Sequence, residues 1–157
     1  MIDFLRRAKR LRYADEGFAV RPSRPGSQDF QYQEGALLYI DSRIGQRMFG
    51  GTEGVWKNLR PLWCMNYYGR ILHANFRPGF LREALLRMDP AAPFRGPLLY
   101  ETGDLRYQCQ YEGDLRRFHG EEQIYRGDVL LYECRFHGGL IDDEPCRASA
   151  IQMEKDS

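Results

Sequence analysis

Apolar residues recur along this chain at two spacings, one typical of helices and the other of strands. Near the N-terminus, Phe4, Leu5, Ala8 and Leu11 follow one another at helical spacing. This stripe predicts an amphipathic helix over Ile2–Arg12. The cations of the same segment are expected to lie largely on its solvated side, and they are Arg6, Arg7, Lys9 and Arg10.

A second stripe at the same spacing predicts a helix over Gly79–Met88. Its apolar side consists of Phe80, Leu81, Ala84, Leu85 and Met88. Asp89 and Pro90 are expected to stop this helix, because a residue that precedes proline disfavours the helical conformation.

From Phe30 onward, apolar residues alternate with polar ones, as they do in half-buried strands. Alternating runs lie around Tyr39, from Phe49 to Val55 and from Trp63 to Tyr67. They predict a meander of three or four antiparallel strands. The preceding segment, 14–28, is rich in turn residues and predicts a loop.

The alternating stretch Phe30–Gly69 has a second copy at Leu98–Gly138. The matched residues are first 68 positions apart. They are 69 apart from Phe118 onward, because the second copy has one extra residue before Phe118. The matched pairs are Tyr32 and Tyr100, Gly35 and Gly103, Tyr39 and Tyr107, Gly45 and Gly113, Phe49 and Phe118, Gly51 and Gly120, Glu53 and Glu122, Val55 and Ile124, Trp63 and Tyr132, Met65 and Cys134, Tyr67 and Phe136, and Gly69 and Gly138. A dozen matches that keep their order predict an internal duplication.

The predicted fold is therefore an α+β domain made of two helix-plus-antiparallel-meander units, about 2–72 and 77–141. The two units are expected to pack about a pseudo-twofold axis within one domain that covers 1–157, with their sheets joined edge to edge or face to face. A polar tail at 142–157 is expected to be partly frayed.

Composition excludes several kinds of partner and site. A net charge of +1 argues against a general affinity for nucleic acid or acidic membranes. No apolar run reaches the ~20 residues of a membrane span, and the charged segment 1–13 does not resemble a signal peptide. The four cysteines show no zinc-like spacing. We expect a cytoplasmic, reduced protein without metal or cofactor; the sequence does not define its oligomeric state.

Three carboxylates occupy positions whose alternation predicts that they face inward. Glu53 and Glu122 are a matched pair, and Asp41 matches Cys109. Because burying an unpaired charge costs several kcal/mol, such groups must be paired, protonated or in contact with a wet cavity.

Two interpretations of these carboxylates remain open. In the first, Glu53 and Glu122 lie on opposite walls of a pocket between the halves, lined by Tyr39, Tyr107, Trp63 and Tyr132, which would suit a cationic ligand. In the second, each Glu accepts hydrogen bonds from a Tyr hydroxyl or from strand amides, and the preceding glycine marks a bulge. The second is slightly favoured, since both copies keep the motif.

Catalytic patterns are weak. His73, His119 and His137 lack the spacing of a catalytic or metal site and are expected to be solvated. An enzyme of hydrolase type would have to use Asp41, Glu53 or Glu122 as acid or base, and it would need one raised pKa in a cleft.

Several motifs in order resemble the bacterial domain-of-unknown-function family 5680. They are Tyr39–Asp41, Phe49–Glu53, Trp63–Gly69, Phe80–Leu85, Arg95–Pro97, Phe118–Glu122 and His137–Gly139. The resemblance runs from about Phe4 to Ile141. It implies that the family tends to keep Tyr39, Asp41, Glu53, Trp63, Tyr67, Glu122 and His137.

Some members of that family follow a helix-turn-helix domain, which this chain is expected to lack, and such fusions imply a ligand-sensing role. The leading hypothesis is therefore a small-molecule-binding domain. Its candidate residues are Tyr39, Asp41, Glu53, Trp63, Tyr107, Glu122 and Tyr132. A hydrolase and a protein-interaction domain are the alternatives.

Overall fold

The computed structural model describes residues 1–14, 18–142 and 144. It contains two helices, α1 (Ile2–Tyr13) and α2 (Pro78–Leu85). The strands are β1 (Phe18–Val20), β2 (Gln28–Glu34), β3 (Leu37–Gly45), β4 (Met48–Lys57), β5 (Arg60–Ile71), β6 (Leu99–Thr102), β7 (Leu105–Asp114), β8 (Arg117–Arg126) and β9 (Val129–Leu140).

All nine strands form a single antiparallel sheet in the order β1-β2-β3-β4-β5-β9-β8-β7-β6. The two meanders meet edge to edge where β5 pairs with β9, from Trp63 opposite Leu140 to Ile71 opposite Tyr132. We call this pairing the central seam. It makes the last strand of each meander an interior strand, so that both are paired on two sides.

Both helices form where the apolar stripes predict them. In α1 the buried residues include Phe4, Leu5 and Ala8. Helix α2 begins with a proline in its first turn, where the missing N–H costs nothing. It ends at Leu85, earlier than the expected Met88, although Met88 is still buried in the turn that follows.

The first predicted loop is partly wrong. Within 14–28, the segment Phe18–Val20 forms β1 and pairs with β2 at the edge of the sheet. Residues 15–17 of that loop lie outside the described part of the chain, as does the predicted polar tail apart from Asp142 and Glu144.

Strand alternation places the predicted side chains on a buried face that the two helices cover. The shared core includes Phe4 and Phe80 from the helices together with the sheet residues Tyr39, Val55 and Ile124. The residues that alternate with these core positions lie on the more exposed face of the sheet, as expected. Among them, Gln110, Arg135 and His137 are exposed. In this α+β arrangement, a site can therefore form on the covered face, between the sheet and the helices.

The glycine before each inward Glu does not mark a bulge, contrary to one of the interpretations above. A Cβ added at Gly51 would lie 2.3 Å from the Tyr67 hydroxyl, and one at Gly120 would lie 2.5 Å from Cζ of Phe136. Each glycine thus makes room for the ring of its cross-strand partner. The register shifts occur further along, at Val55/Trp56 and Ile124/Tyr125.

Candidate functional site

The two inward Glu residues occupy matching positions in the strand register. Glu53 on β4 lies between Asp41 on β3 and Met65 on β5. Glu122 on β8 lies between Cys109 on β7 and Cys134 on β9. Both carboxylates are buried, with exposed fractions of 1% and 0%. Their surroundings differ in which donors reach them.

Glu122 is enclosed by three side-chain donors. Arg95, in the loop after α2, donates to Glu122 Oε1 from Nε at 3.0 Å and from Nη2 at 2.6 Å. The Tyr132 hydroxyl donates to the same oxygen at 2.8 Å, and the Tyr107 hydroxyl donates to Oε2 at 2.6 Å. The Gly96 N–H in turn donates to the Tyr107 hydroxyl at 2.9 Å. We call this group the closed cluster.

Within the described residues, Glu53 is paired with a single cation, Lys9 of α1. The Lys9 Nζ lies 2.7 Å from Glu53 Oε2 and donates to the Phe94 carbonyl at 2.6 Å. It also lies 5.6 Å from the ring centroid of Trp63. Lys9 is fully buried, so the expectation that it belongs to the solvated side of α1 is wrong. It follows Leu5 by one helical turn, and this spacing turns it towards the sheet.

The neighbouring carboxylate, Asp41, also has a cationic partner. Arg12 Nε, one helical turn after Lys9 on α1, lies 2.8 Å from Asp41 Oδ2. The Tyr67 hydroxyl donates to Asp41 Oδ1 at 2.7 Å. We call Glu53, Asp41 and their partners Lys9, Arg12 and Tyr67 the open cluster.

The residues beside Glu53 do not repeat the donors that enclose Glu122. Tyr39 and Trp63 stand where Tyr107 and Tyr132 stand in the other half, each opposite the matching β-branched residue. Among the described residues, neither the buried Tyr39 hydroxyl nor the buried Trp63 Nε1 has a hydrogen-bond partner. Glu53 therefore lacks the two hydroxyl donors that Glu122 has.

A cavity of about 520 Å³ lies beside the open cluster, beneath both helices. Its polar lining includes Asp41, Glu53 and Tyr67, and α2 supplies Leu81 and Leu85. The remaining lining residues are Arg12, Tyr13, Arg43, Gln46, Arg47, Phe49, Ile71, Phe76, Pro78, Arg82, Arg95 and Tyr132. The volume lies in the range of small-molecule sites, and the mixture of apolar walls with a few polar groups is typical of them.

Burial shifts the pKa values of the open cluster's ion pair. It raises the pKa of Glu53 above its usual value, against the opposing effect of Lys9. It also lowers the pKa of Lys9, against the effect of Glu53. Both shifts disfavour the charged forms, because removing ions from water is costly. The pair is therefore closer to neutrality than an exposed pair would be.

The structure brings together only some of the expected site residues. Asp41, Glu53 and Tyr132 line the cavity. Tyr39, Trp63, Tyr107 and Glu122 are buried but are not among its lining residues. The two Glu side chains thus do not face each other across one pocket, because Arg95, Tyr107 and Tyr132 occupy the oxygens of Glu122.

Sequence reasoning missed the cations that determine the site. Lys9 and Arg12 extend the stripe that starts at Leu5, so helical spacing could have identified them. Arg95 lies in a loop without periodicity, and only its position within the motif Arg95–Pro97 marked it. Of the aromatic residues that line the cavity, Phe49 was predicted only as a core residue and Phe76 was not predicted at all.

Other candidate groups do not form a site in the described residues. His73, His119 and His137 are exposed, as expected. Cys64, Cys109 and Cys134 are free, and burial raises the pKa of Cys109 and of Cys134 to about 12. Within residues 1–14, 18–142 and 144, no group of three or more His, Cys, Asp or Glu is placed to hold a metal ion. In that same part of the chain, neither helix is long and apolar enough to cross a membrane.

Comparison with known proteins identifies one family. Neither the curated proteins nor the solved structures include a match to this chain. The family described as "Domain of unknown function (DUF5680)" matches residues 41–141, which hold most of the sheet, α2 and both inward Glu residues. The chain therefore belongs to the DUF5680 family.

Proposed function

We propose that the chain is a small-molecule-binding domain whose ligand occupies the cavity beside the open cluster. The observation that carries this proposal is the asymmetry of the two carboxylates. Glu122 is closed off by three donors, whereas Glu53 lines a cavity of about 520 Å³ under both helices. A cavity of this size beside buried charges leaves room for an organic molecule to make polar contacts at one end.

Asp41 and Glu53, which form the polar floor of the cavity, are already paired within the protein, and this supports a ligand-binding role. Asp41 is held by Arg12 and Tyr67, and Glu53 is held by Lys9. Groups fixed before a ligand arrives lose little conformational entropy when it binds. The floor therefore offers a preformed surface to the ligand.

A thermal-shift screen against a metabolite panel tests this proposal with two matched variants. Leu81→Trp would fill the cavity from α2, whereas Leu62→Trp enlarges a half-buried residue packed elsewhere on the core. A ligand that occupies the cavity raises the melting temperature by mass action. The shift should persist in Leu62→Trp and vanish in Leu81→Trp. A shift that survives Leu81→Trp, or no shift across the panel, would count against the proposal.

The internal duplication is part of the same proposal. The strand order is mirrored about the central seam, and the two register shifts occur at matching places. Both observations support two related units, of which one has kept a closed carboxylate and the other an open one. A ligand-sensing role in a reduced, cytoplasmic setting fits this arrangement.

A hydrolase is the second candidate, favoured by the state of Glu53. This residue combines a raised pKa with a position on the cavity wall, which are the two properties required of a general acid. Asp41 would then be a neighbouring base held by Arg12.

Turnover of a panel of alkyl esters, whose alkoxide leaving groups must take up a proton, tests this candidate. Glu53→Gln should abolish activity, and activity should fall as the pH rises through the raised pKa of Glu53, because a general acid must be protonated. Glu122→Gln serves as the comparison, since Glu122 does not line the cavity. Equal turnover in wild type and Glu53→Gln would eliminate the candidate.

A further inference from the structure

The charged groups around the cavity are not balanced once their internal pairs are removed. Its lining contains five arginines and two carboxylates. Asp41 is paired with Arg12, and Glu53 is paired with Lys9. Arg95 is paired with Glu122. Each carboxylate is thus already neutralised by a cation of the protein.

Three lining arginines remain, from three separate elements. Arg43 lies on β3, Arg47 lies in the turn between β3 and β4, and Arg82 lies on α2. None of them forms an ion pair with any residue that the structure describes. Guanidinium groups that line one cavity without an acidic partner create a local positive field that favours an anion.

Arg43 is the most buried of the three, since Arg47 and Arg82 are exposed. Its guanidinium carbon lies 4.2 Å from the centroid of the Phe49 ring, which also lines the cavity. Its Nη2 donates to the Gln46 carbonyl at 3.3 Å, and its Nε has no hydrogen-bond partner in the part of the chain that the structure describes. A guanidinium held against a ring with donors to spare is suited to a planar anion such as a carboxylate.

The apolar part of the cavity is dominated by a series of stacked rings. Phe76 stacks on Tyr132 with centroids 5.2 Å apart, and Tyr132 stacks on Phe49 at 6.1 Å. Ile71, Leu81 and Leu85 complete the apolar wall. A compact apolar or aromatic body would be buried here, while its charged group would lie towards the three arginines.

We infer that the ligand of this cavity is an amphipathic organic anion, with a ring-like apolar body and a carboxylate or phosphate group bound by Arg43, Arg47 and Arg82. The inference rests on the proposed binding function and adds the ligand's class. A cationic ligand, which the inward carboxylates suggest from sequence, would meet acids already neutralised by Lys9 and Arg12. It would also have to pass three uncompensated cations.

Two fluorescent dyes with the same ring system test the ligand class. Anilinonaphthalene sulfonate carries an anionic group, and phenyl naphthylamine carries none. Both are titrated against the wild-type chain, Arg43→Gln, Arg82→Gln and a control, Arg106→Gln. The control arginine also lies over a ring, Tyr125 at 5.1 Å, and its Nε also has no hydrogen-bond partner in the described ranges, but it does not line the cavity.

The sulfonate dye should bind one per chain and more tightly than the neutral dye. Arg43→Gln and Arg82→Gln should each weaken it by roughly tenfold, the effect of one charge-assisted hydrogen bond. Binding should also weaken as salt is added. The neutral dye should not respond to either change, and Arg106→Gln should leave both dyes unaffected.

The other outcomes separate the ligand class from the binding function. If both dyes bind equally and neither responds to the arginine variants, the anionic class is wrong while the cavity still binds. A naphthylmethyl ammonium salt that displaces the neutral dye better than the naphthaleneacetate anion would also overturn the class. If neither dye binds, or both still bind to Leu81→Trp, the proposed function fails as well.

Discussion

The closed and open clusters place the same carboxylate at the same register position and surround it differently. Glu122 accepts hydrogen bonds from Arg95, Tyr107 and Tyr132. Glu53 is paired with Lys9 and faces a cavity. The strand next to Glu53 places Asp41 opposite it, whereas the strand next to Glu122 places Cys109 at the corresponding position.

The difference shows how one arrangement can serve stability in one half and leave space in the other. A guanidinium and two hydroxyls use the oxygens of Glu122 fully, so nothing is left for a ligand. The Lys9 ammonium contacts one oxygen of Glu53, and neither the Tyr39 hydroxyl nor the Trp63 Nε1 donates a hydrogen bond to this carboxylate. Changing the donors should therefore have unequal consequences in the two clusters.

The largest effect is expected when the cation of the closed cluster is removed. Arg95→Met leaves Glu122 buried with two hydroxyl donors and no opposite charge. We expect the free energy of unfolding to fall by about 3–5 kcal/mol, as when one partner of a buried ion pair is lost. Urea unfolding followed by circular dichroism measures it. A loss below about 1 kcal/mol, within the range of exposed pairs, would contradict the closed cluster.

Removing the cation of the open cluster should cost less. Lys9→Met leaves Glu53 beside a cavity, where it can take up a proton, so we expect a loss of about 2 kcal/mol at neutral pH. The double variant Lys9→Met/Glu53→Gln should recover part of that loss.

The cost of Lys9→Met should also depend on pH. Without Lys9 the pKa of Glu53 rises further, and a carboxyl group whose folded pKa exceeds the unfolded value of 4.5 destabilises the fold as the pH rises above 4.5. Unfolding curves for wild type and Lys9→Met should thus converge at acidic pH and diverge towards neutral pH. Parallel curves would argue that Glu53 does not titrate in this range.

The matched tyrosines give a smaller, more direct comparison. Tyr107→Phe removes a donor from buried Glu122 and should lower the free energy of unfolding by about 1–2 kcal/mol. Tyr39→Phe removes a buried hydroxyl that has no hydrogen-bond partner among the described residues, so it should be neutral or slightly stabilising. Measured side by side in urea, equal effects would mean that the two hydroxyls have equivalent surroundings.

The smallest expected effect concerns the hairpin turns of the two halves. The turn between β4 and β5 places Asn58 at φ 52° and Leu59 at φ 65°, whereas the turn between β8 and β9 places Gly127 at φ 57°. Leucine is strained in this left-handed region, and Leu59 is 83% exposed. Leu59→Gly creates the favoured Asn-Gly turn and should stabilise the fold by up to about 1 kcal/mol. Thermal unfolding measures this, and a destabilisation would show that Leu59 packs usefully.

Local patterns were enough to predict much of the fold. The alternation that contains Tyr39 and Asp41 identified the buried face, and the stripe beginning at Phe4 gave α1 almost to its ends. Both patterns act over a few residues, where side-chain direction follows directly from backbone period. The edge strand β1 was missed because three residues are too few to establish a period.

The donors to each carboxylate could not be predicted in the same way. Lys9 reaches the Phe94 carbonyl, and Arg95 reaches Glu122, across distances in sequence that no local spacing encodes. How fully each carboxylate is enclosed depends on whether its cation comes from a helix, as Lys9 does, or from a loop, as Arg95 does. Only the packed sheet and its helices determine that.

The central seam has a consequence for how the chain acquires its fold. Strand β5 is completed early in the sequence, but its partner β9 is the last strand of the sheet. During synthesis the β5 edge, with Trp63 and Tyr67 on it, must wait unpaired until Leu140 has left the ribosome. An open edge of this kind recruits other strands, so nascent chains should be most prone to aggregation in that interval. Stalled or truncated chains that end before β9 should therefore depend on chaperones far more than the finished protein.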